Sequence, residues 1–239
     1  SHFDGQNVLE SGGSRAYTLK DGWLNRLLGL LPQAQNTAIA FSPTIPLALR
    51  GNIPVDAYAA SRLPQPSDDL IMRVNQLYMA DPQLHAAWES AMQTENMAEM
   101  AGSEQNNASP EALGKMVGEF LSQPQGARIA MLETGGWDTH SAQNTRLAKQ
   151  LGDLDKLIGS LQINLNHYWQ NTLVIVATEF GRTAAANGTG GTDHGTAAAM
   201  LCFGGALTNM PMQNQQWQAG KVMADWPGLA NRQLYQGRD

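Results

Sequence analysis

From residue 126 onward, strand-like apolar runs alternate with one long amphipathic helix, and this alternation constrains the fold more than any other feature of the chain. Residues 127–132 and 173–177 are short apolar runs; the second is continuous, as expected for a strand covered on both faces. Between them Leu147, Leu151, Leu154, Ile158, Leu161 and Leu165 step by four and three along one helix face. Strand, long helix, strand predicts a right-handed parallel crossover. Residues 199–203 supply a third strand, so the class expected is α/β.

The earlier part of the chain is richer in helix signals. A short helical stretch follows Ser1 and ends at the Gly12-Gly13 loop, and Asp21-Gly22 opens a second helix running to about Leu31, where Pro32 stops it. Residues 37–41 read as a short buried strand. Residues 43–66 hold five prolines and little periodicity, which predicts a surface excursion. Helical spacing returns at 68–79 and 82–100, and Ser109-Pro110-Glu111 starts a further helix after a polar linker at 102–108. No run between about 43 and 125 encloses its own core, so this part reads as a helical layer or lid on a single domain spanning 1–239. Both ends fall within motif-like sequence, and the domain is expected to continue beyond them.

Bulk properties exclude several functions. With 42% hydrophobic and 15% charged residues the chain is neither disordered nor strongly polar. No apolar run reaches the roughly 20 residues of a bilayer-crossing helix, so no membrane span is expected in this segment. A net charge of -6 with scattered lysines and arginines offers no stripe for nucleic acid. Cys202 is the single cysteine and cannot form an internal disulfide.

In a parallel sheet the loops at the carboxyl ends of the strands converge on one edge, where ligands bind. The polar motifs fall there. One strand runs into Glu133-Thr134-Gly135-Gly136-Trp137-Asp138-Thr139-His140 and the next into Thr178-Glu179-Phe180-Gly181-Arg182-Thr183; Gly190-Gly191-Thr192-Asp193-His194-Gly195 precedes the third. Asp138 and His140 stand two apart, so in an extended loop both side chains face the same way and can grip one ion with a hard oxygen and a borderline nitrogen. Glu179 and His194 complete a coherent candidate set of metal ligands. The structural alternatives are that Asp138 caps the helix that follows and that Glu179 pairs with Arg182. His85 and His167 lie on helical stretches away from these loops, and Trp23, Trp88 and Trp169 have the spacing of core residues.

Five ordered motifs carry a family resemblance: Ser1-His2-Phe3-Asp4-Gly5-Gln6, Asp21-Gly22-Trp23-Leu24-Asn25-Arg26, Gly135 to His140, Thr178 to Thr183, and Gly191 to Gly195. With the closing Gly220-Lys221-Val222 and Asp225-Trp226-Pro227-Gly228-Leu229, the chain resembles a large bacterial family grouped with the alkaline phosphatase and sulfatase superfamily. The resemblance implies an α/β/α sandwich on a mixed, largely parallel sheet. It also implies export through a twin-arginine leader, hence a periplasmic or cell-surface location, and divalent metal ions, with zinc, calcium or manganese as candidates. Asp138, His140 and His194 match one metal's ligands. Glu179 stands where the superfamily has the aspartate of an Asp-His pair, but Phe180 replaces the histidine, and the amino-terminal strand that carries a further aspartate is not in this sequence.

Two functions follow from this reading. The first is a hydrolase acting on phosphate or sulfate esters of a small molecule or polysaccharide, with Ser1 as nucleophile and Arg182 or His2 steadying the anion. The second is a non-catalytic exported protein that keeps the sheet, with or without one structural ion, and binds a partner or a surface polysaccharide. Ser1 itself has two readings, a nucleophile or a plain helix cap.

Overall fold

A computed structural model describes residues 1–32, 37–59, 66–100, 109–209, 211–212, 215–216, 220–224, 227–230 and 232–239. The chain is of mixed helix and strand with a small parallel sheet, broadly α/β. The central strand β1 (Ala38–Phe41) pairs in parallel with β2 (Asp56–Ala57) on one side and with β3 (Ile129–Leu132) on the other. Its side chains alternate between two layers, as the two-residue period of a strand requires. Ala38 and Ala40 pack with Leu28 and Leu49, whereas Ile39 packs with Tyr58 and Phe120.

Helix α5 (Pro110–Ser122) starts as its sequence predicts, with Pro110 in the first turn and Ser109 accepting from the Ala112 N–H at 3.2 Å. It lies along α6 (Gln143–Leu165), where Val117, Leu161 and Leu165 form a third apolar cluster. The two backbones meet closely at glycine: a Cβ on Gly114 would lie 2.2 Å from the Leu157 carbonyl oxygen. α5 covers the carboxyl-terminal half of α6. Leu157, Leu161 and Leu165 are therefore buried, while Leu151, expected on the same face, is 49% exposed and Leu154 is half-buried.

Several expectations need correction. Residues 43–59 are a surface excursion only in part, because a short 3-10 turn (Leu47–Leu49) and the residue after β2 bring Ala48, Leu49 and Tyr58 into the core while β2 itself stays exposed. The cause lies in α2 (Trp23–Leu28), which is shorter than expected and carries the buried Asn25. Its amide donates to the Leu49 and Ile53 carbonyls at 2.8 Å each and accepts from the Ile53 N–H at 3.1 Å, tying the loop down. Trp23 is 37% exposed and is not a core residue.

The expected parallel crossover from β3 through α6 to the next strand is also replaced. β4 (Val174–Val176) pairs antiparallel with β5 (Leu201–Phe203) in a separate two-stranded sheet, and Ile175 is 45% exposed rather than covered. A turn of chain from 204 to 206 joins the end of this sheet to Thr172, since the Ala206 N–H donates to the Thr172 carbonyl at 3.2 Å. Helices α3 (Asp68–Tyr78) and α4 (Pro82–Met100) lie where their periodicity places them. The polar linker at 102–108, with Asp225 and Trp226 of the closing motif, lies outside the described residues. Among the described residues no helix is long and apolar enough to cross a membrane.

Candidate functional site

The first helix, α1 (His2–Ser11), carries one side of the site. Ser1 closes a capping box: its hydroxyl accepts from the Asp4 N–H at 3.3 Å and donates to Asp4 Oδ2 at 2.7 Å. Glu10, 5% exposed, anchors the helix by accepting from Gln6 Nε2 at 2.6 Å and from the Ala48 N–H at 3.0 Å. Arg26 adds a bond to the Ser11 carbonyl at 2.7 Å, so the Asp21 to Arg26 motif serves to hold α1 in place. At Gly5 the helix touches the second strand-end loop, where a Cβ would stand 3.2 Å from Phe180 and 3.3 Å from Glu179.

Three loops supply the other side, and backbone hydrogen bonds lace them together. The Thr192 N–H donates to the Thr139 carbonyl at 3.2 Å, Gln143 to Gly190 at 2.9 Å, Thr183 to Asp193 at 2.9 Å and Gly195 to Gly181 at 2.8 Å. Two of the loops press together at Gly191: a Cβ there would lie 2.2 Å from the His140 carbonyl oxygen, so a side chain must drive the loops apart.

This lacing brings Asp138, His140 and His194 to one point. Asp138 Oδ1 lies 3.0 Å from His140 Nε2 and 3.1 Å from His194 Nε2, and the two ring nitrogens are 3.0 Å apart. His2 joins from α1, its Nε2 3.3 Å from Asp138 Oδ2, and its ring stands edge-on to His194 at 4.5 Å between centroids. His2, Asp138 and His194 each offer one ligand atom within 4.8 Å of the others. Glu179 does not pair with Arg182; its Oε1 lies 2.6 Å from His2 Nδ1 and fixes that ring. Arg182 instead donates through Nη1 to Asp138 Oδ1, through Nε to Thr192 Oγ1 at 3.0 Å and through Nη2 to the Thr192 carbonyl. Phe180 packs against His2 and His194, at 4.8 and 4.7 Å between centroids.

The spacing of the donor atoms is one that could hold a divalent ion. Two donors bonded to one ion at about 2.0–2.2 Å, at tetrahedral or octahedral angles, stand roughly 2.8–3.6 Å apart, and all three edges of the Asp138–His140–His194 triangle fall in that range. Two imidazole nitrogens and a carboxylate oxygen also suit zinc and manganese chemically. Arg182 Nη1 uses the same Asp138 oxygen, so guanidinium and cation compete for it. Beside Glu179 lies an open groove of about 390 Å³, lined by Asp4, Gly5, Val8, Leu9, Ala16 and Glu179.

Asp193, which sequence reasoning did not single out, orients His140: its Oδ1 lies 3.3 Å from His140 Nδ1 and accepts from Asn187 Nδ2 at 3.1 Å. Its place next to His194 was the signal available. Hydrogen bonds from Asn187 and His140 hold the Asp193 carboxyl below the usual carboxylate value. At Asp138 partial burial pushes upward, but hydrogen bonds from Arg182 and His194 and the charges of His140 and Arg182 outweigh it and leave the carboxyl lowered. Both groups are lower in the folded than in the unfolded chain, so their stabilisation is fully present above the unfolded value of about 3.9 and is lost as pH falls through the folded values. We therefore expect these two carboxylates to contribute no change in thermal midpoint between pH 7 and 5, and a decline below about pH 4 that is smaller in Asp138→Asn. Melting curves across that range check this, and a variant with an undiminished decline contradicts it.

The sequence-named residues thus fall into three groups. Asp138, His140, His194 and His2 converge; Glu179 holds His2, and Arg182 bonds the Asp138 oxygen that faces the two other histidines; and Ser1 caps the helix that carries His2. No curated protein and no solved structure matches the chain. A family described as protein of unknown function (DUF1501) matches residues 3–220, most of the sequence, and the chain belongs to that family.

Proposed function

We propose that the protein is an exported, metal-dependent hydrolase of phosphate or sulfate esters, built on the α/β/α sandwich of the alkaline phosphatase and sulfatase superfamily. The observation that carries the reading is the triangle of donor atoms from Asp138, His140 and His194, with edges of 3.0–3.1 Å. A divalent ion bound there would polarise an ester oxygen. Asp193 holds His140 through Nδ1, as outer-shell partners do in metal sites, whereas Arg182 would have to release Asp138 Oδ1 to the ion.

His2 lies between two carboxylates, with Nδ1 2.6 Å from Glu179 Oε1 and Nε2 3.3 Å from Asp138 Oδ2 at the triangle. A hydrogen on Nε2 would be placed to steady an ester anion bound at the triangle. The Ser1 hydroxyl donates to Asp4 Oδ2 at 2.7 Å, so a carboxylate is already in place to take its proton if Ser1 serves as nucleophile. The groove that runs from Asp4 to Glu179 would receive the organic part of the ester, from a small molecule or a polysaccharide.

One observation favours the second reading, a non-catalytic exported binding protein. The Phe180 ring lies against His2 and His194, on the side where the superfamily has a further histidine. Elemental analysis of the purified protein, followed by assays on phosphate and sulfate monoesters with zinc, manganese or calcium, separates the two. Stoichiometric metal with turnover supports the hydrolase. A protein that takes up no divalent ion and turns over no ester is the binding protein.

A further inference from the structure

We infer that Asp239 is a positioning residue that sets the loop carrying His194, so that the turn at 234–239 belongs to the site. The inference rests on the reading of His194 as a metal donor. The Asp239 side chain is 2% exposed, and its Oδ2 accepts from the backbone N–H groups of both Thr196 and Ala197, the latter at 2.5 Å. Two successive N–H groups converging on one oxygen form an anion seat of the kind that backbone nests make. Oδ1 is buried without a hydrogen bond, with Arg238 Nε 3.8 Å away. Burying a carboxylate in this way is unfavourable unless its bonds are used for something, and here they fix the two residues that follow the His194-Gly195 step.

Arg238 extends the clamp to the second loop. Its carbonyl accepts from the Ala184 N–H at 2.8 Å, and its Nη2 donates to Thr196 Oγ1 at 3.0 Å. Gly195 is thereby enclosed: a Cβ there would lie 2.7 Å from the Arg182 carbonyl carbon and 3.0 Å from Asp239 Oδ2. Arg182 and His194 face each other across an antiparallel bridge, so Arg238 and Asp239 brace both strands of that bridge from behind. The run 196–200 has no helix or strand of its own, and the Asp239 carboxylate takes the place of a ladder partner.

The test compares Asp239→Ala and Asp239→Asn with the wild-type protein by zinc calorimetry, amide hydrogen exchange over 194–198 and thermal melting. We expect Asp239→Ala to weaken zinc binding by about ten- to a hundredfold, as loss of an outer-shell support does. Exchange at Thr196 and Ala197 should quicken while the melting midpoint holds. Asp239→Asn keeps an acceptor oxygen and should fall between the two. Wild-type zinc affinity and exchange in Asp239→Ala would overturn the inference, as would an affinity loss that merely follows a loss of global stability. Should Asp239→Ala not fold, Asp239→Asn decides on the same two readouts. If the wild-type protein itself binds no zinc, the metal reading fails, and local exchange alone then decides whether Asp239 sets the loop.

Discussion

Replacing His194 by alanine is expected to weaken divalent-metal binding by at least about a hundredfold, beyond the roughly 10–100-fold that follows loss of an outer-shell partner. The reason is geometric. His194 Nε2 forms two edges of the donor triangle, and without it Asp138 and His140 are left of the triangle, the first shared with Arg182, with His2 beside them. The fold should be little affected, because His194 lies on a polar loop, is 38% exposed and belongs to none of the three apolar clusters. Zinc titration and a circular-dichroism melt of both proteins check the two halves of this expectation. Equal affinity would remove His194 from the donor set and with it the principal support for the proposed function.

The largest effect on stability is expected at Phe120. Phe120→Ala should destabilise the protein by about 3–5 kcal/mol, the usual range for truncating a buried aromatic residue. Phe120 is 2% exposed, meets Phe41 edge-on at 5.3 Å between ring centroids and lies 5.7 Å from Tyr58, so it joins α5 to β1 and to the segment after β2. Against a net stability of about 5–15 kcal/mol for a typical domain, that loss is a large fraction. Urea unfolding monitored by fluorescence measures it, and the half-buried Leu154 provides the comparison: Leu154→Ala should shift the midpoint less. A shift at Phe120 no larger than that at Leu154 would mean that the cluster around β1 collapses around the cavity.

Local signals in the sequence were sufficient for the helices. Ser109-Pro110 started α5, Gly12 ended α1 with a left-handed residue, and leucine spacing located α6. Strand pairing was less legible, because segments of three or four residues carry too little pattern to choose a partner; β4 therefore seemed the natural neighbour of β3 but pairs with β5. The prolines of 43–66 suggested exposure, while the hydrogen bonds from Asn25 that draw Leu49 inward leave no trace in the local pattern. At the site, the glycine-flanked acidic and histidine motifs identified residues that do meet. Their pairing was harder: Glu179 had Arg182 three residues away as a ready partner, yet it holds His2, 177 positions distant. Asp239 was invisible for the same reason, since it acts on Ala197 across 42 positions.

That separation between His2 and Glu179 dictates an order of events. At a synthesis rate of about 5–20 residues per second, residue 179 is made roughly 9–35 s after residue 2. The helix bearing His2 thus emerges well before the loop that carries Glu179 and must wait, with one side unmet, for it. The sheet has a similar delay, because Ala38 cannot align with Ile129 until the intervening helices exist. Assembly of the cluster consequently follows synthesis of all three loops, and a chain interrupted before residue 194 lacks the imidazole that meets Asp138 and His140.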